Sequence, residues 1–389
     1  MAILDAGLGR AGPGPATEAG PREASLFNPV VDFICLGGGS LVVFLALALL
    51  RGSPATLPAV AAASLLLVYV LNFPHFAFSY QIFYRDFAAK AFGPDYPANL
   101  RLRYIAAGIV VPLAMIAYFA VAVARGDAQL LGFFANVTLF LVGWHYVKQG
   151  YGMLMVDAAL KKRFFGAGEK KALLANAYAC WGCYWLLANW WVAERDFWGL
   201  KYAMLSVPVP VLYVAAGIAI LTTAWSGLVL ARKWRSDGRP PPLAGLFAYG
   251  ATLYAWLFMR LDPLFMLLVP ACHSLQYITV VWRYQLNVER GRADAARKPR
   301  SALVARYFPT TAHLRFAGFL ATGILLGYGG FVAAPSLLSN FVAYDKAVFG
   351  AAMFIFMFWS FINVHHYFLD NVMWRRGNPE TAKYLFAHS

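Results

Sequence analysis

ATLPAVAAASLLLVYVLNFPHFAFSYQIFYRD, residues 55–86, runs from Ala55 to Tyr84 without one Asp, Glu, Lys or Arg. A helix that crosses a bilayer needs roughly 20 mainly apolar residues, so this stretch is long enough to span. It also carries an imidazole, His75, in the middle of NFPHFAFSY. A polar side chain in hydrocarbon is costly enough that such a residue needs a reason.

The rest of the chain has the same character. Of its 389 residues 61% are hydrophobic and only 13% charged, and the mean hydropathy is +0.58. These values fall in the membrane class and outside the soluble one. Ten apolar runs are long enough to be spans: about 30–50, 55–84, 103–124, 128–156, 172–193, 208–231, 243–259, 264–282, 314–337 and 346–374. The expected fold is an all-α, polytopic helix bundle over residues 29–375. A Gly- and Pro-rich tail without a secretory signal is expected over 1–28, and a short polar tail over 376–389.

The formal charge of +15 does not point to nucleic acid, because the cations do not gather on one water-facing stripe. They alternate from one connection to the next. Connections 85–102, 157–171, 232–242 and 283–313 are basic, the last with seven cations from Arg283 to Arg306, whereas the connections between them hold one or two each. Lys and Arg accumulate on the cytoplasmic side of membrane proteins. The alternation therefore predicts an even number of spans with both termini cytoplasmic, as in a bacterial inner membrane protein. Cys35, Cys180, Cys183 and Cys272 all lie inside apolar runs and read as small packing residues, not as a secreted disulfide framework.

Five of the seven histidines fall inside the predicted spans: His75, His145 (VGWHYVKQGYG), His273 (PACHSLQYI), and His365 with His366 (NVHHYFLDN). All occupy even-numbered spans, which run toward the cytoplasm. Arg85, Arg283 and Arg375 each follow a histidine by ten residues, about 15 Å of helix, so three helices are expected to hold an imidazole at one depth. His145 also lies in the cytoplasmic half of its span. Four residues on, and hence on the same helix face, stand Ser79, Gln149, Tyr277 and, after His366, Asp370. Gln149, Tyr277 and Asp370 are the candidate catalytic or supporting groups.

Neutral imidazole is the commonest protein metal ligand, and a site rich in histidine with few carboxylates suits iron, copper or zinc. His75, His145, His273, His365 and His366 are the candidate ligands, for one ion or two. His365 and His366 point about 100° apart on a helix, and the sequence leaves open which of them faces the site. Asp370 either orients His366 or ligates directly.

Histidines on several spans of a compact helical body resemble the membrane histidine-cluster oxygenases and desaturases, and are similar in style to the Brp/Blh carotene-cleaving dioxygenases. The chain departs from the desaturases in lacking HxxxH and HxxHH boxes. The resemblance implies iron bound at the candidate histidines, activation of O2, and a lipid-soluble substrate entering from the bilayer. Aromatics beside the motifs would line its pocket: Phe76, Phe78 and Tyr80; Trp144, Tyr146 and Tyr151; Tyr277 and Trp282; Tyr367 and Trp374. Three other functional classes stay open, and so does a purely structural or assembly role. An O-acyltransferase would use His145 as a general base, a haem or quinone protein would use paired histidines, and a proton-coupled transporter would use His, Asp370 and Lys148 as a relay.

Overall fold

The computed structural model describes residues 24–191, 196–197, 200–201, 203–261, 265–294, 311–375 and 377–386. The expected N-terminal tail lies outside the described residues up to residue 23, as do residues 295–310 of the longest basic connection and His388.

Over their described residues all ten apolar runs are helical, apart from a break in the tenth. In chain order the helices are α1 (Pro29–Leu50), α2 (Thr56–Tyr84), α3 (Phe87–Phe92), α4 (Ala98–Ala124), α5 (Ala128–Leu160), α6 (Ala167–Trp191), α7 (Val209–Asp237), α8 (Leu243–Leu261), α9 (Phe265–Asp294), α10 (Thr311–Phe341), α11 (Lys346–Phe349), α12 (Met353–Met373) and α13 (Pro379–Leu385). The only departure among the described residues is a two-residue antiparallel ladder, Asp196–Phe197 against Leu200–Lys201, in the connection from α6 to α7.

Six helices, α1, α2, α4, α5, α7 and α10, are long and apolar enough to cross a membrane. Their outward faces are apolar, as at Leu49, Tyr213, Leu221 and Leu325. A water-facing helix would put charged side chains there. The other four helices at the predicted spans, α6, α8, α9 and α12, are shorter or more polar. In α12 the polarity comes from Ser360, Asn363, His365, His366 and Asp370, all of which are buried. The tenth run breaks at Gly350, whose φ of 71° suits glycine. It therefore forms the short α11 and then α12, not one span from 346.

Helix α5 is central, with α6, α8, α4 and α12 packed along it, while α2 packs on α10 and α6 on α7. One large core cluster joins α2, α4, α9 and α12, with Phe83, Tyr104, Tyr284 and Leu369 fully buried. A second joins α4, α5 and α12 through Phe119, Leu131 and Phe356. Close approach depends on glycine: a Cβ at Gly245 of α8 would lie 2.8 Å from Leu154 Cα of α5, and one at Gly327 of α10 would lie 2.8 Å from the Phe73 carbonyl carbon of α2.

Three helices share a local device. A π-helical turn precedes a proline in α2 (Val68–Asn72, then Pro74), α4 (Ala106–Val110, then Pro112) and α10 (Gly329–Ala333, then Pro335). Proline lacks the N–H that would reach back one turn, and the widened turn leaves carbonyls open to side chains. Asn72 O, Ala107 O and Gly108 O are used in this way, by His75, His365 and Tyr84.

Residues 377–386 are not a free tail. Helix α13 starts at Asn378, whose side chain caps Glu380 N, and it packs on α9. Glu380 pairs with Lys90 of α3 at 3.0 Å. The ammonium of Lys90 is 1% exposed and also donates to Ile82 O. Burial holds Lys90 below its ordinary value, and the Glu380 carboxylate offsets part of that shift.

Candidate functional site

Helices α2, α5, α9 and α12 bring His75, His145, His273 and His366 together. The His75 and His366 rings lie 4.9 Å apart between centroids, His145 and His366 4.9 Å, His145 and His273 5.0 Å, and His75 and His273 5.8 Å. None of the four is more than 5% exposed. Four helices thus supply one imidazole each to a single water-excluded point.

Each ring is fixed by its surroundings. Nδ1 of His75 donates to Asn72 O at 2.5 Å, with Ser274 Oγ 3.0 Å from the same nitrogen. A carbonyl can only accept, so the proton is on Nδ1 and the Nε2 lone pair is free for a ligand. The proline-linked π turn of α2 is what presents that carbonyl. Tyr146 stacks on His273 at 3.9 Å and Tyr367 on His145 at 4.4 Å.

Asp370 completes the group. Its Oδ1 accepts from Ser79 Oγ at 2.9 Å and from Tyr277 Oη at 3.1 Å, and those two hydroxyls are 2.5 Å apart. Its Oδ2 lies 3.4 Å from His366 Nε2, without hydrogen-bond geometry. One donor atom each from His145, His366 and Asp370 falls within 4.8 Å of the others.

The nitrogens that meet here have no partners. His75 Nε2, His145 Nε2 and both ring nitrogens of His273 and His366 are buried without a hydrogen bond. A buried polar atom left unsatisfied costs about 1–3 kcal/mol, and such atoms are rare in native proteins. Four imidazoles that each carry at least one such atom, packed beside a carboxylate, fit the donor set of a metal ion.

His365 is placed elsewhere. It projects toward α4, where its Nε2 donates to Ala107 O at 2.9 Å, and its Nδ1 accepts from Tyr80 Oη at 2.9 Å. Both nitrogens are therefore used, and the ring lies outside the cluster. Gln149 is a brace: its Nε2 donates to His273 O at 2.9 Å and to Gln276 Oε1 at 3.1 Å. Tyr277 contacts the cluster through its bond to Asp370 and through edge contacts with the His75 and His366 rings, 5.6 and 5.5 Å between centroids. Sequence reasoning passed over Asn72 and Ser274 as ring-orienting groups. Asn72 acts through its main-chain carbonyl, which any residue there would present, so no side-chain signal marked it; for Ser274 the signal was its position next to His273.

A cavity of about 780 Å³ opens from this point, bounded at its inner end by His145, Tyr277, Tyr367 and Asp370, a size common for small-molecule sites. Of the expected pocket aromatics, Trp144, Tyr151, Tyr277, Tyr367 and Trp374 line it. Phe76 and Tyr146 pack on the imidazoles instead, Tyr80 serves His365, and Phe78 and Trp282 lie against α10 at Phe319 and Phe316.

Compared with known proteins, the chain matches no family model, no curated protein and no solved structure.

Proposed function

We propose that this protein is a metal-dependent membrane enzyme of the oxygenase or desaturase type, with iron at the four-helix cluster and a lipid-soluble substrate in the adjoining cavity. The observation that carries the reading is the meeting of buried, unpartnered imidazole nitrogens from four helices beside Asp370. Two imidazoles and one carboxylate, here His145, His366 and Asp370, make the donor set that suits non-haem iron(II). His75 and His273 supply further donors for the same ion or a second one.

Iron in such a site supplies the one-electron chemistry that oxidation of an unactivated hydrocarbon needs. The chain's residues do the rest. Ser79 and Tyr277 hold the Asp370 carboxylate, Asn72 fixes the His75 tautomer, and the helices around the cluster keep bulk water away. Rings with centroids 4.9–5.8 Å apart leave no room for a porphyrin between them, which disfavours a bis-histidine haem. An acyltransferase built on His145 alone leaves His75, His273 and His366 without a purpose.

We place all ten long helices across the membrane, both termini on the cytoplasmic side, in accord with the alternating basic connections. In a bacterial cell this corresponds to the inner membrane. The test is O2 consumption by iron-loaded protein in nanodiscs made from a total lipid extract, with mass spectrometry of the lipids. O2-dependent lipid products from the wild type, absent with His366→Ala, support the reading. Equal product profiles from the two proteins would reject it.

A further inference from the structure

We infer that the molecule bound in the cavity is a long-chain amphiphile with an anionic headgroup, carboxylate or phosphate, held by the cations that line the cavity, Lys148, Lys170 and Arg375. The inference rests on reading this cavity as the substrate site of the cluster. At its inner end are His145 and Asp370, and its walls between the two ends are mainly apolar, with Trp144, Met155, Val280 and Trp374. Lys170 stands in the first turn of α6 and Arg375 just beyond α12, whereas Lys148 lies one turn along α5 from His145.

These three cations are not neutralised by the protein. Among the described residues, none has a carboxylate within ion-pair distance. Lys148 Nζ lies over the Tyr151 and Tyr178 rings, 5.9 and 6.0 Å from their centroids, and Arg375 Nε donates to Asn371 O at 2.8 Å. Among the described residues Asp370 is the only acid on the cavity wall, and it is already engaged by Ser79 and Tyr277. Burial first, and then the like charge of Arg103, push the Arg375 guanidinium down from its ordinary value. By contrast, Lys90 pairs with Glu380, Lys161 with Asp157 and Lys233 with Asp237. A mainly apolar cavity lined by three cations that lack a carboxylate partner is complementary to an anionic head on an apolar chain. In this arrangement the cations hold the head, and the apolar chain lies along the wall that includes His145 and Asp370.

The experiment is binding of tritiated oleate to purified protein in a neutral detergent, with competition by oleyl phosphate, oleyl alcohol and oleylamine. Oleate or oleyl phosphate should bind about tenfold tighter than the alcohol, with the amine weakest. Whichever anion wins identifies the headgroup. The triple variant Lys148→Gln, Lys170→Gln, Arg375→Gln should lose this ranking while still binding the alcohol, and Lys148→Gln alone should lose part of it. Each variant is first checked for a monodisperse peak. Alcohol binding as tight as either anion, or a ranking kept in the triple variant, would overturn the inference. No metal or turnover enters this readout. A preference for anions in a protein that binds no metal would therefore sink the enzyme reading alone, and a metal-containing protein indifferent to head charge would sink this inference alone.

Discussion

His366 Nε2 stands 3.4 Å from Asp370 Oδ2, one turn along the same helix, while Asp370 Oδ1 is held from the other side by Ser79 of α2 and Tyr277 of α9. Three helices thereby fix a carboxylate against an imidazole whose other neighbours are His75 and His145. In a metal site this second layer of contacts sets where the donor atoms point.

Asp370→Asn separates charge from shape. An asparagine oxygen still accepts from Ser79 and Tyr277, so the helices should pack as before, but the anionic donor beside His366 is gone. Iron affinity should fall about 10- to 100-fold, measured by chelator competition, with the thermal midpoint little changed. An unaltered affinity would mean that the carboxylate neither ligates nor orients.

The adjacent pair gives a sharp contrast. His366→Ala should abolish metal binding. His365→Ala should leave metal content intact and lower stability instead, because it leaves Ala107 O and Tyr80 Oη without their partner, about 1–3 kcal/mol each. Elemental analysis and a thermal melt of both variants decide it. Metal loss in His365→Ala with His366→Ala unaffected would reverse the assignment.

Gly245 tests the seam between α5 and α8. An alanine there places its Cβ 2.8 Å from Leu154 Cα and 2.9 Å from Asp157 Cβ, and backbone cannot swing aside. Gly245→Ala should destabilise by about 1–3 kcal/mol, read as a lowered midpoint in detergent. Gly52→Ala, where nothing lies within 4 Å, should be silent.

The anchor of α13 is electrostatic. Glu380→Gln leaves the Lys90 ammonium buried without its counter-charge. Removing one partner of a fully buried pair costs about 3–5 kcal/mol, and Glu380, 22% exposed in its side chain, should give less, on the order of 2 kcal/mol. Lys90→Met combined with Glu380→Gln should recover part of the loss, as a double-mutant cycle shows for groups in contact. Simple additivity of the two variants would mean that the pair contributes nothing.

Much of this arrangement was legible in the sequence because a helix is a ruler. Counting from His75 and His273 to the next arginine put two of the cluster imidazoles at one depth, the same count on the tenth span used His365, neighbour of the cluster's His366, and the i+4 rule put Ser79, Tyr277 and Asp370 on the same faces as the histidines they accompany. The direction of His365 was not legible, since it depends on a carbonyl freed by the π turn before Pro112 on a different helix. The break of the tenth run at Gly350 was hidden by the apolar residues on both sides. Helix α13 escaped notice because it is short and polar, and its place is set by Lys90, nearly three hundred residues earlier.

The central claim is that the four-helix cluster holds a metal ion. Elemental mass spectrometry of protein purified without chelator or affinity histidines tests it most directly, for the wild type, His75→Ala and His366→Ala. The account predicts one or two equivalents of iron in the wild type, no Soret absorbance, and loss of the metal in both variants. A wild type free of bound metal, or variants that keep it while still folded, would contradict the account.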